Sequence, residues 1–528
     1  MTLKPLIAAT VAATVIAGGA FASAAVGFFS PARDDAVQLV PSAAFIYGNV
    51  FLDPSAPQKL ALQDLIARFP KASTPEQAKA AIVDLLNKGL AEIGMEFSAD
   101  IEPWLGSQVA FFMMPPNVAP AAPGSAPVDP GAAILIASDD PDATQAAVDK
   151  AIAADAANGA APTNPASYNG VDYMVSSDGQ NAIGVIDNFL VFGSDGGIKA
   201  VADARGGESL AESKAYVDAT ASLTEDRIAT LYLDPSKAFA GLPPGVVPPA
   251  LGNTAPLVSI LYVRSDAVVF EGSSSASAIT DPFLDAGSSD LLDRLPGDTW
   301  AAFGIPSAGP TIRQAITQIM SAVPGAQGAT GAQLLEGQFE MQFGLSLEKD
   351  LLSWLGDIAF FAQGNAVSSF GGGAVIQATD PKAAAAAMPK IKAALERAGA
   401  PVVPLDLGQF EGFSIQDKGM AEPINFVLAD QRVLIVFGDN ATLAALGSDP
   451  ALASDANFTA ARDGLGDGFS VAGYLDMARA VSIIDSEIPT DPAYDNDVKP
   501  FLEHLSYAVF GSKREGDRLL TRAVIGVK

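Results

Sequence analysis

Two stretches of the chain carry the same pattern, and together they decide the fold. The first is Trp104-Leu105-Gly106-Ser107-Gln108-Val109-Ala110-Phe111-Phe112, and the second is Trp354-Leu355-Gly356-Asp357-Ile358-Ala359-Phe360-Phe361. Ordered self-similarity of this kind indicates that one structural unit occurs twice. The residues that recur are mostly apolar, so the motif Trp104, Leu105, Gly106 and its copy Trp354, Leu355, Gly356 predict a repeated scaffold and not a reaction centre.

The neighbours of the two motifs match in the same order. An acidic turn and an Ala-rich helix follow each motif, with the helices predicted at 142–157 and 382–398. Two aromatic-x-Gly turns come next, at 168–170 and 410–412, and then two strand pairs. Asp187-Asn188 and Asp430-Gln431 separate these strands, and short polar residues of this type favour tight hairpins.

The repeat predicts the domain organisation. We expect a membrane anchor or signal segment with a short linker at 1–39, a first unit at 40–275, a linker at 276–294 and a second unit at 295–528. The fold class is α+β, because hairpin-length turns demand antiparallel strand pairing. Each unit is predicted to be a largely antiparallel sheet with helices packed against one face. Segments 115–131 and 364–373 are predicted loops.

Residues 6–29 contain no charged side chain. A run of ~20 apolar residues crosses a bilayer core as a helix, which predicts a lipid-bilayer anchor with the body outside the cytoplasm. The alternative is a signal peptide cleaved after Ala22-Ser23-Ala24, since small residues precede such cleavage sites. A mature chain that starts at Ala25 would overturn the anchored interpretation.

Composition excludes several classes of function. The chain has 31 basic and 60 acidic residues, a formal net charge of −29, and no cysteine. Nucleic-acid binding needs a basic footprint, and no Lys/Arg cluster supplies one. The lack of cysteine excludes disulfides, thiolate catalysis and thiolate metal sites. No cofactor is predicted.

Three candidate features have a stronger structural interpretation than a chemical one. Trp104, Trp300 and Trp354 are predicted core anchors and not a ligand platform. His504 is the single histidine, and no Gly-x-Ser-x-Gly motif accompanies it. Ser346-Leu347-Glu348-Lys349 fits the Ser-x-x-Lys pattern of penicillin-interacting enzymes without their Lys-Thr-Gly strand, so Ser346 is predicted to cap a short helix.

Two acidic clusters are the remaining candidate sites. Asp139, Asp140 and Asp142 precede a helix, where carboxylates cap free N–H groups. Asp491, Asp495 and Asp497 are weak candidates for a Ca²⁺ site, and a solvated loop is the favoured interpretation.

The assembled segments resemble a known family. An apolar N-terminal helix is followed by Val40-Pro41-Ser42, Phe51-Leu52-Asp53-Pro54-Ser55, the helical Gln58-Lys59-Leu60-Ala61-Leu62 and the Trp-Leu-Gly strand. This order is similar to the bacterial envelope family catalogued as domain of unknown function 3352. The resemblance implies a retained membrane helix and an outward-facing body, and it carries no catalytic residue over.

The sequence is compatible with three functions. The first is a non-enzymatic envelope protein with a structural or partner-binding role. The second is a carrier or sensor of an apolar, lipid-like ligand, which the apolar strand at 109–114 motivates. The third is a carboxylate-based hydrolase, which needs two facing carboxylates in a cleft.

Overall fold

A computed structural model describes residues 33–69, most of 80–115, 131–157, most of 162–238, 255–275, 290–322, 329–447, 450–487, 492 and 494–528, with isolated gaps inside some ranges. Its contacts divide the chain into two compact units, Met1–Ile279 and Thr280–Lys528. Among the described residues, no helix combines the length and apolar character needed to cross a bilayer. The predicted anchor at 6–29 lies outside these residues.

The described part of unit 1 forms one antiparallel sheet. Its strands are β1 (Ile46–Phe51), β2 (Leu105–Met113), β3 (Ala132–Ser138), β4 (Thr163–Tyr168), β5 (Val171–Ser176), β6 (Ala182–Ile186), β7 (Phe189–Gly193), β8 (Ala229–Leu233), β9 (Leu257–Arg264) and β10 (Ala267–Ser275). Neighbours follow the order β10-β9-β8-β1-β2-β3-β7-β6-β5-β4, and every one of these pairs is antiparallel.

The helices of unit 1 lie between these strands in the chain. They are α1 (Ala56–Ile66), α2 (Pro141–Ala157), α3 (Asp195–Gly206), α4 (Lys214–Thr220) and α5 (Pro235–Ala238). A π-helix at Phe97–Ile101 precedes β2. α2 begins at an acidic turn, where Asp140 Oδ1 accepts a hydrogen bond from Ala143 N at 3.0 Å. This contact confirms the predicted helix cap.

The described part of unit 2 also consists of antiparallel strands. Its strands are β11 (Thr299–Ile305), β12 (Leu355–Gln363), β13 (Gly371–Ala378), β14 (Val402–Pro404), β15 (Glu411–Ile415), β16 (Ile424–Ala429), β17 (Arg432–Phe437), β18 (Ser470–Asp476), β19 (Leu505–Glu515) and β20 (Arg518–Val527). The neighbour order β20-β19-β18-β11-β12-β13-β17-β16-β15-β14 repeats that of unit 1, again with antiparallel pairing.

The helices of unit 2 also lie between its strands in the chain. The set is α6 (Ala308–Ala322), α7 (Ala329–Phe343), α8 (Pro381–Arg397), α9 (Asp439–Gly447), α10 (Ala456–Leu465), α11 (Met477–Glu487) and α12 (Lys499–Leu502). π-Helices lie at Leu347–Leu352 and Tyr494–Val498. α8 is Ala-rich with Pro381 in its first turn, and Asp380 caps it through the N–H groups of Lys382 and Ala383.

The α+β class and the antiparallel sheet are confirmed, but the prediction of helices on one face is wrong. Val433 and Leu434 are consecutive in β17 and both are buried, at 1% and 0% exposure. Because consecutive strand residues point to opposite faces, both faces of the sheet are covered at β17. Val433 belongs to the core beneath α8, and Arg432 on the other face donates to the Ala445 carbonyl of α9.

The predicted turns differ in outcome. Asn169 and Gly170 have positive φ in the turn between β4 and β5, and Asp187 and Asp430 have positive φ in their hairpins, as predicted. The predicted turn at 410–412 is wrong, since Gly412 lies inside β15 opposite Val427. A Cβ at Gly412 would lie 2.0 Å from the Phe426 carbonyl oxygen. This glycine therefore permits a close approach of strands.

The predicted loop at 364–373 is also too long. Residues 371–373 are the first three of β13 and pair with β12 and β17. Glycine is needed there because Cβ atoms at Gly372 and Gly373 would lie 2.3 Å and 2.1 Å from carbonyl oxygens of the neighbouring strands. The predicted loop at 115–131 falls almost wholly outside the described residues.

Candidate functional site

The repeated tryptophans pin the start of a strand in each unit. Trp104 and Trp354 are 2% and 3% exposed. The indole Nε1 of Trp104 donates to the Asp100 carbonyl at 2.6 Å, and that of Trp354 donates to the Asp350 carbonyl at 2.7 Å. Burial with one satisfied N–H is the behaviour of a core anchor, as predicted for these two residues. Trp300 is half-buried in β11.

The other two residues of the motif also act on packing. Leu105 and Leu355 begin β2 and β12 and lie against the cores of their units. Glycine follows each leucine because a Cβ at Gly106 would meet the Ala137 backbone at 2.9 Å, and one at Gly356 would meet the Gln377 carbonyl oxygen at 2.6 Å. The Trp-Leu-Gly motif is therefore a tight junction between a π-helix and the sheet.

A carboxylate and a lysine complete this junction in both units, and the sequence analysis missed them. Lys150 Nζ of α2 contacts Asp100 Oδ1 at 2.6 Å, and Lys390 Nζ of α8 contacts Asp350 Oδ1 at 2.6 Å. The signal was present in the chain. An aspartate stands four residues before each tryptophan, and a lysine stands ten residues after the aspartate of each Asp-Pro turn.

The electrostatics of the two junctions agree. The hydrogen bond from Lys390 holds the pKa of Asp350 below its ordinary value, and the Ser346 N–H adds to this effect. Burial alone would raise the pKa of Asp100, but hydrogen bonds from Lys150 and from the Glu96 N–H outweigh it and lower that pKa. Both carboxylates are therefore charged acceptors that tie a π-helix to an Ala-rich helix.

Unit 2 contains a cavity of about 400 Å³ beside this junction. α8 contributes apolar side chains at helical spacing, namely Met388, Ile391, Ala394, Leu395 and Ala398 just past its end. The sheet contributes the apolar residues Leu355, Ile358, Ile376, Phe426, Val433 and Ile435. The third wall comprises Phe339, Phe343, Leu345, Leu351 and Trp354. Among the described residues, no polar or titratable side chain lines the cavity.

Helix α7 forms the outer wall of this cavity. Phe339 and Phe343 face inward, with their ring centroids 4.8 Å apart. The opposite side of α7 is also apolar in part, since Leu334 and Met341 are 57% and 82% exposed. The helix is held near its middle by Glu336, which accepts a hydrogen bond from the Ser346 hydroxyl at 2.5 Å.

The end of α7 is held by Arg397 of α8. Arg397 Nη2 donates to the Phe343 carbonyl at 2.7 Å, and Nε donates to the Ala393 carbonyl at 3.3 Å. The guanidinium lies over Gly344, where φ is +65° and a Cβ would come within 2.5 Å of it. α7 and α8 are therefore joined at the edge of the cavity by one cation.

A cavity in unit 1 is different in chemistry. It measures about 520 Å³ and lies between α2 and strands β4–β6. Its lining includes Gln145, Asp172 and Tyr173 together with apolar residues. Polar groups in the wall make this cavity less suited to an apolar ligand than the one in unit 2.

A cluster of one carboxylate, Asp34, and two tyrosines lies at the start of the described part of unit 1. Tyr47 OH donates to Asp34 Oδ1 at 2.6 Å, Tyr216 OH lies 3.5 Å from Oδ2, and Val37 N donates to Oδ1 at 3.3 Å. Burial raises the pKa of Asp34, although the hydrogen bond from Tyr47 opposes this shift. The sequence analysis did not identify this cluster, because its tyrosines are distant in the chain.

Each unit also exposes an apolar row across one face of its sheet. In unit 2 the row contains Phe360, Phe303 and Phe510, which are 42%, 38% and 40% exposed. Phe303 pairs with Phe360 and with Gly473, and Gly473 pairs with Phe510. The matching register in unit 1 carries Phe111, Gly48 and Leu231.

The remaining predicted site residues are dispersed. Ser346 caps the π-helix by accepting from Lys349 N at 3.0 Å, as predicted, and Lys349 is exposed. His504 is partly buried one residue before β19. Asp495 is exposed, while Asp491 and the side chain of Asp497 lie outside the described residues. In the described part of the chain, no three His, Asp or Glu side chains are grouped so as to hold a metal ion.

Comparisons with known proteins give one extensive match. A family model described as "Protein of unknown function (DUF3352)" matches residues 6–518. No curated protein matches the chain. Crystal forms I and III of TP0453 align at 13% and 12% identity, each with a TM-score of 0.24. These alignments cover 47% and 51% of this chain and 80% and 90% of those structures.

Proposed function

The chain belongs to the DUF3352 family, and from this premise we propose that it is a membrane-anchored bacterial envelope protein that binds an apolar ligand in unit 2. The cavity of about 400 Å³ with a wholly apolar lining carries this proposal. Small-molecule sites are concave, mostly apolar and of roughly 300–1,000 Å³. The volume lies near the lower end of that range, which favours one alkyl chain over two.

The proposed role is binding and not catalysis. General acid–base and nucleophilic mechanisms need a titratable or nucleophilic side chain within reach of the ligand. The lining residues of the cavity offer none. A carboxylate-based hydrolase would need two facing carboxylates in a cleft, and the described lining of this cavity contains no carboxylate.

We further propose that the two units arose by duplication. Support comes from the same strand order in each unit and from two repeated polar contacts. One is the Asp–Lys contact at each Trp-Leu-Gly motif. In the other, an aspartate at the end of matching strands lies near a basic residue three positions later: Asp234, which directly follows β8, near Lys237, and Asp476, the last residue of β18, near Arg479. A pairwise superposition of the two sheets that failed to align these carboxylates would contradict the duplication.

Binding is tested with straight-chain 1-alkanols of increasing length and isothermal titration calorimetry. Each methylene that enters the cavity contributes about 0.8 kcal/mol, so Kd should fall about fourfold per carbon until the cavity is filled. Ala394→Phe should abolish this dependence, because Ala394 is buried in the lining. Ala393→Phe is the matched control, since Ala393 is exposed on the same helix. The proposal would be refuted if both variants lost the dependence of Kd on chain length equally, or if the wild-type protein bound no alkanol.

The localisation is an independent part of the proposal. Residues 6–29 are uncharged, and we propose that they remain as the anchor while the body lies outside the cytoplasm. Membrane fractionation with mass determination of the mature N-terminus tests this. Recovery in the membrane with residues 6–29 intact supports the anchor, and a soluble chain that starts at Ala25 contradicts it.

A structural or partner-binding role is the second candidate function. The exposed row Phe360, Phe303 and Phe510 favours it, because aromatic side chains are enriched in protein interfaces. A photoreactive residue at 360 should give a discrete protein adduct in cells, and Phe303→Ser with Phe510→Ser should remove it. A photoreactive residue at 443, also an exposed apolar position, is the control. No adduct from position 360 would contradict this candidate.

A further inference from the structure

The cavity of unit 2 has a charged group at one end of its lining. Ala394, Leu395 and Ala398 of the α8 region line the cavity, and Arg397 follows Ala394 by three residues. On a helix with 100° per residue, Arg397 therefore lies at the edge of the apolar face. Its partner Phe343 also lines the cavity. Ala398 is exposed, so this end of the lining reaches solvent.

The guanidinium is positioned before any ligand arrives. Two of its N–H groups are used, at the Phe343 and Ala393 carbonyls. Within the described part of the chain, Arg397 takes part in no ion pair, whereas Lys390 pairs with Asp350 and Lys392 with Glu396 on the same helix. The group thus retains its charge and further donors, and its fixed position lowers the entropy cost of binding.

We propose that the ligand of unit 2 is a single-chain fatty acid, whose alkyl chain fills the cavity and whose carboxylate binds Arg397. This inference rests on the proposed function. A guanidinium matches a carboxylate in geometry and charge. The wholly apolar lining accepts the chain but provides no partner for the carboxylate, so the charged end of the ligand must lie at the edge where Arg397 is.

The test compares a long-chain fatty acid with its methyl ester, using the full-length protein in detergent and calorimetric titration. The ester has the same chain but no charge. Wild type should bind the acid about tenfold more tightly than the ester, since a hydrogen bond to a charged group exceeds a neutral one. Arg397→Met should lose this preference while its affinity for the ester stays within about twofold.

Lys392→Met is the matched control, because it removes the same charge from the opposite edge of the α8 apolar face. It should retain the tenfold preference. Equal binding of acid and ester by wild type, or an unchanged preference in Arg397→Met, overturns the role of Arg397 but leaves the cavity as an apolar site. Absence of binding by both ligands refutes the proposed function itself. Retained ester binding also shows that Arg397→Met is folded.

Discussion

Asp350 illustrates how one carboxylate joins three elements. Its backbone carbonyl accepts the Trp354 indole, Oδ1 contacts Lys390 of α8, and Oδ2 accepts from Ser346 N at 2.9 Å. Asp100 repeats this arrangement with Trp104, Lys150 and Glu96 N. The residue that completes the junction is thus recognisable only when both copies are compared.

We predict that Lys390→Met destabilises the protein by about 0.2–1 kcal/mol at neutral pH. The pair is partly exposed, with Lys390 52% and Asp350 15% accessible, so solvent weakens it. The lowered pKa of Asp350 stabilises the fold above the ordinary pKa of Asp, and this contribution is lost as pH falls through the lowered pKa. Urea unfolding should therefore show a smaller difference between variant and wild type in acid.

Two further variants serve as a parallel test and a control for this prediction. Lys150→Met should cost a similar amount, because Lys150 and Asp100 have nearly the same exposures of 50% and 15%. Lys382→Met removes an exposed cation from the first turn of α8, where a positive charge is unfavourable, and should not destabilise. If Lys382→Met lowered the unfolding free energy as much as Lys390→Met, the stabilising role of the Lys390–Asp350 contact would be contradicted.

Asp34 should make stability fall with rising pH. Burial raises its pKa in the folded state above the ordinary value of 3.8. The protonated Asp34 carboxyl therefore adds to the free energy of unfolding below pH 3.8, and this contribution is lost as the pH rises through the raised pKa. In Asp34→Asn that contribution is absent, while the amide oxygen can still accept from Tyr47. The difference between the unfolding free energies of wild type and variant, measured across this pH range, gives the contribution of Asp34.

Asp35→Asn is the control for this pH dependence. Asp35 is the adjacent residue, and it pairs with the exposed Arg33 at 2.6 Å. Its substitution should leave the fall in stability above pH 3.8 unchanged. If Asp34→Asn retained the wild-type slope, the raised pKa would have to belong to another group.

Strand β13 depends on glycine at its first residues. A Cβ at Gly373 would lie 2.1 Å from the Ile435 carbonyl oxygen of β17, which is backbone and cannot rotate away. We predict that Gly373→Ala lowers the unfolding free energy by about 1–3 kcal/mol, the usual cost of overpacking. Thermal unfolding followed by circular dichroism measures this change.

Gly419→Ala is the matched control for β13. Nothing lies within 4 Å of a Cβ at Gly419, and its φ is not positive. The unfolding free energy should change by less than about 0.5 kcal/mol. Equal effects of the two substitutions would mean that β13 and β17 do not approach as closely as described.

The helices were easier to predict than the faces they cover. α2 and α8 begin at Asp-Pro turns and end within one residue of the predicted positions. Capping and helix propensity are local, so a short window of sequence contains them. That α9 covers the face opposite α8 follows from contacts such as Arg432 with Ala445, which join separate segments and leave no local pattern.

Charge acts on the molecule as a whole. The excess of 29 negative charges favours solubility but destabilises the compact state by self-repulsion. We predict that raising NaCl from about 0.01 M to 0.15 M increases the thermal midpoint, because the Debye length falls from roughly 30 Å to 8 Å. An equal concentration of sucrose is the control, and a midpoint that falls with NaCl would contradict the prediction.

The candidate site also combines features that the local sequence predicts with features that depend on tertiary contacts. The acidic turn and the Ala-rich composition predicted α8, and the repeated Trp-Leu-Gly stretch predicted one of the strands beneath it. The volume of the cavity was not predictable, because a void depends on how side chains from distant segments fill the space between them. Arg397 likewise has meaning only beside Phe343, which lies 54 residues earlier in the chain.

Local chemistry in the chain was sufficient for the α+β class, the antiparallel hairpins and the helix starts, because turn residues and caps act over a few positions. The internal repeat indicated the structural role of the Trp-Leu-Gly motifs, and the resemblance of the assembled segments indicated the family. The cover on both faces of β17, the Asp34 cluster and the volume of the apolar cavity were decided only by the tertiary structure. Each joins residues far apart in the chain, and the free energy of such contacts depends on burial and distance.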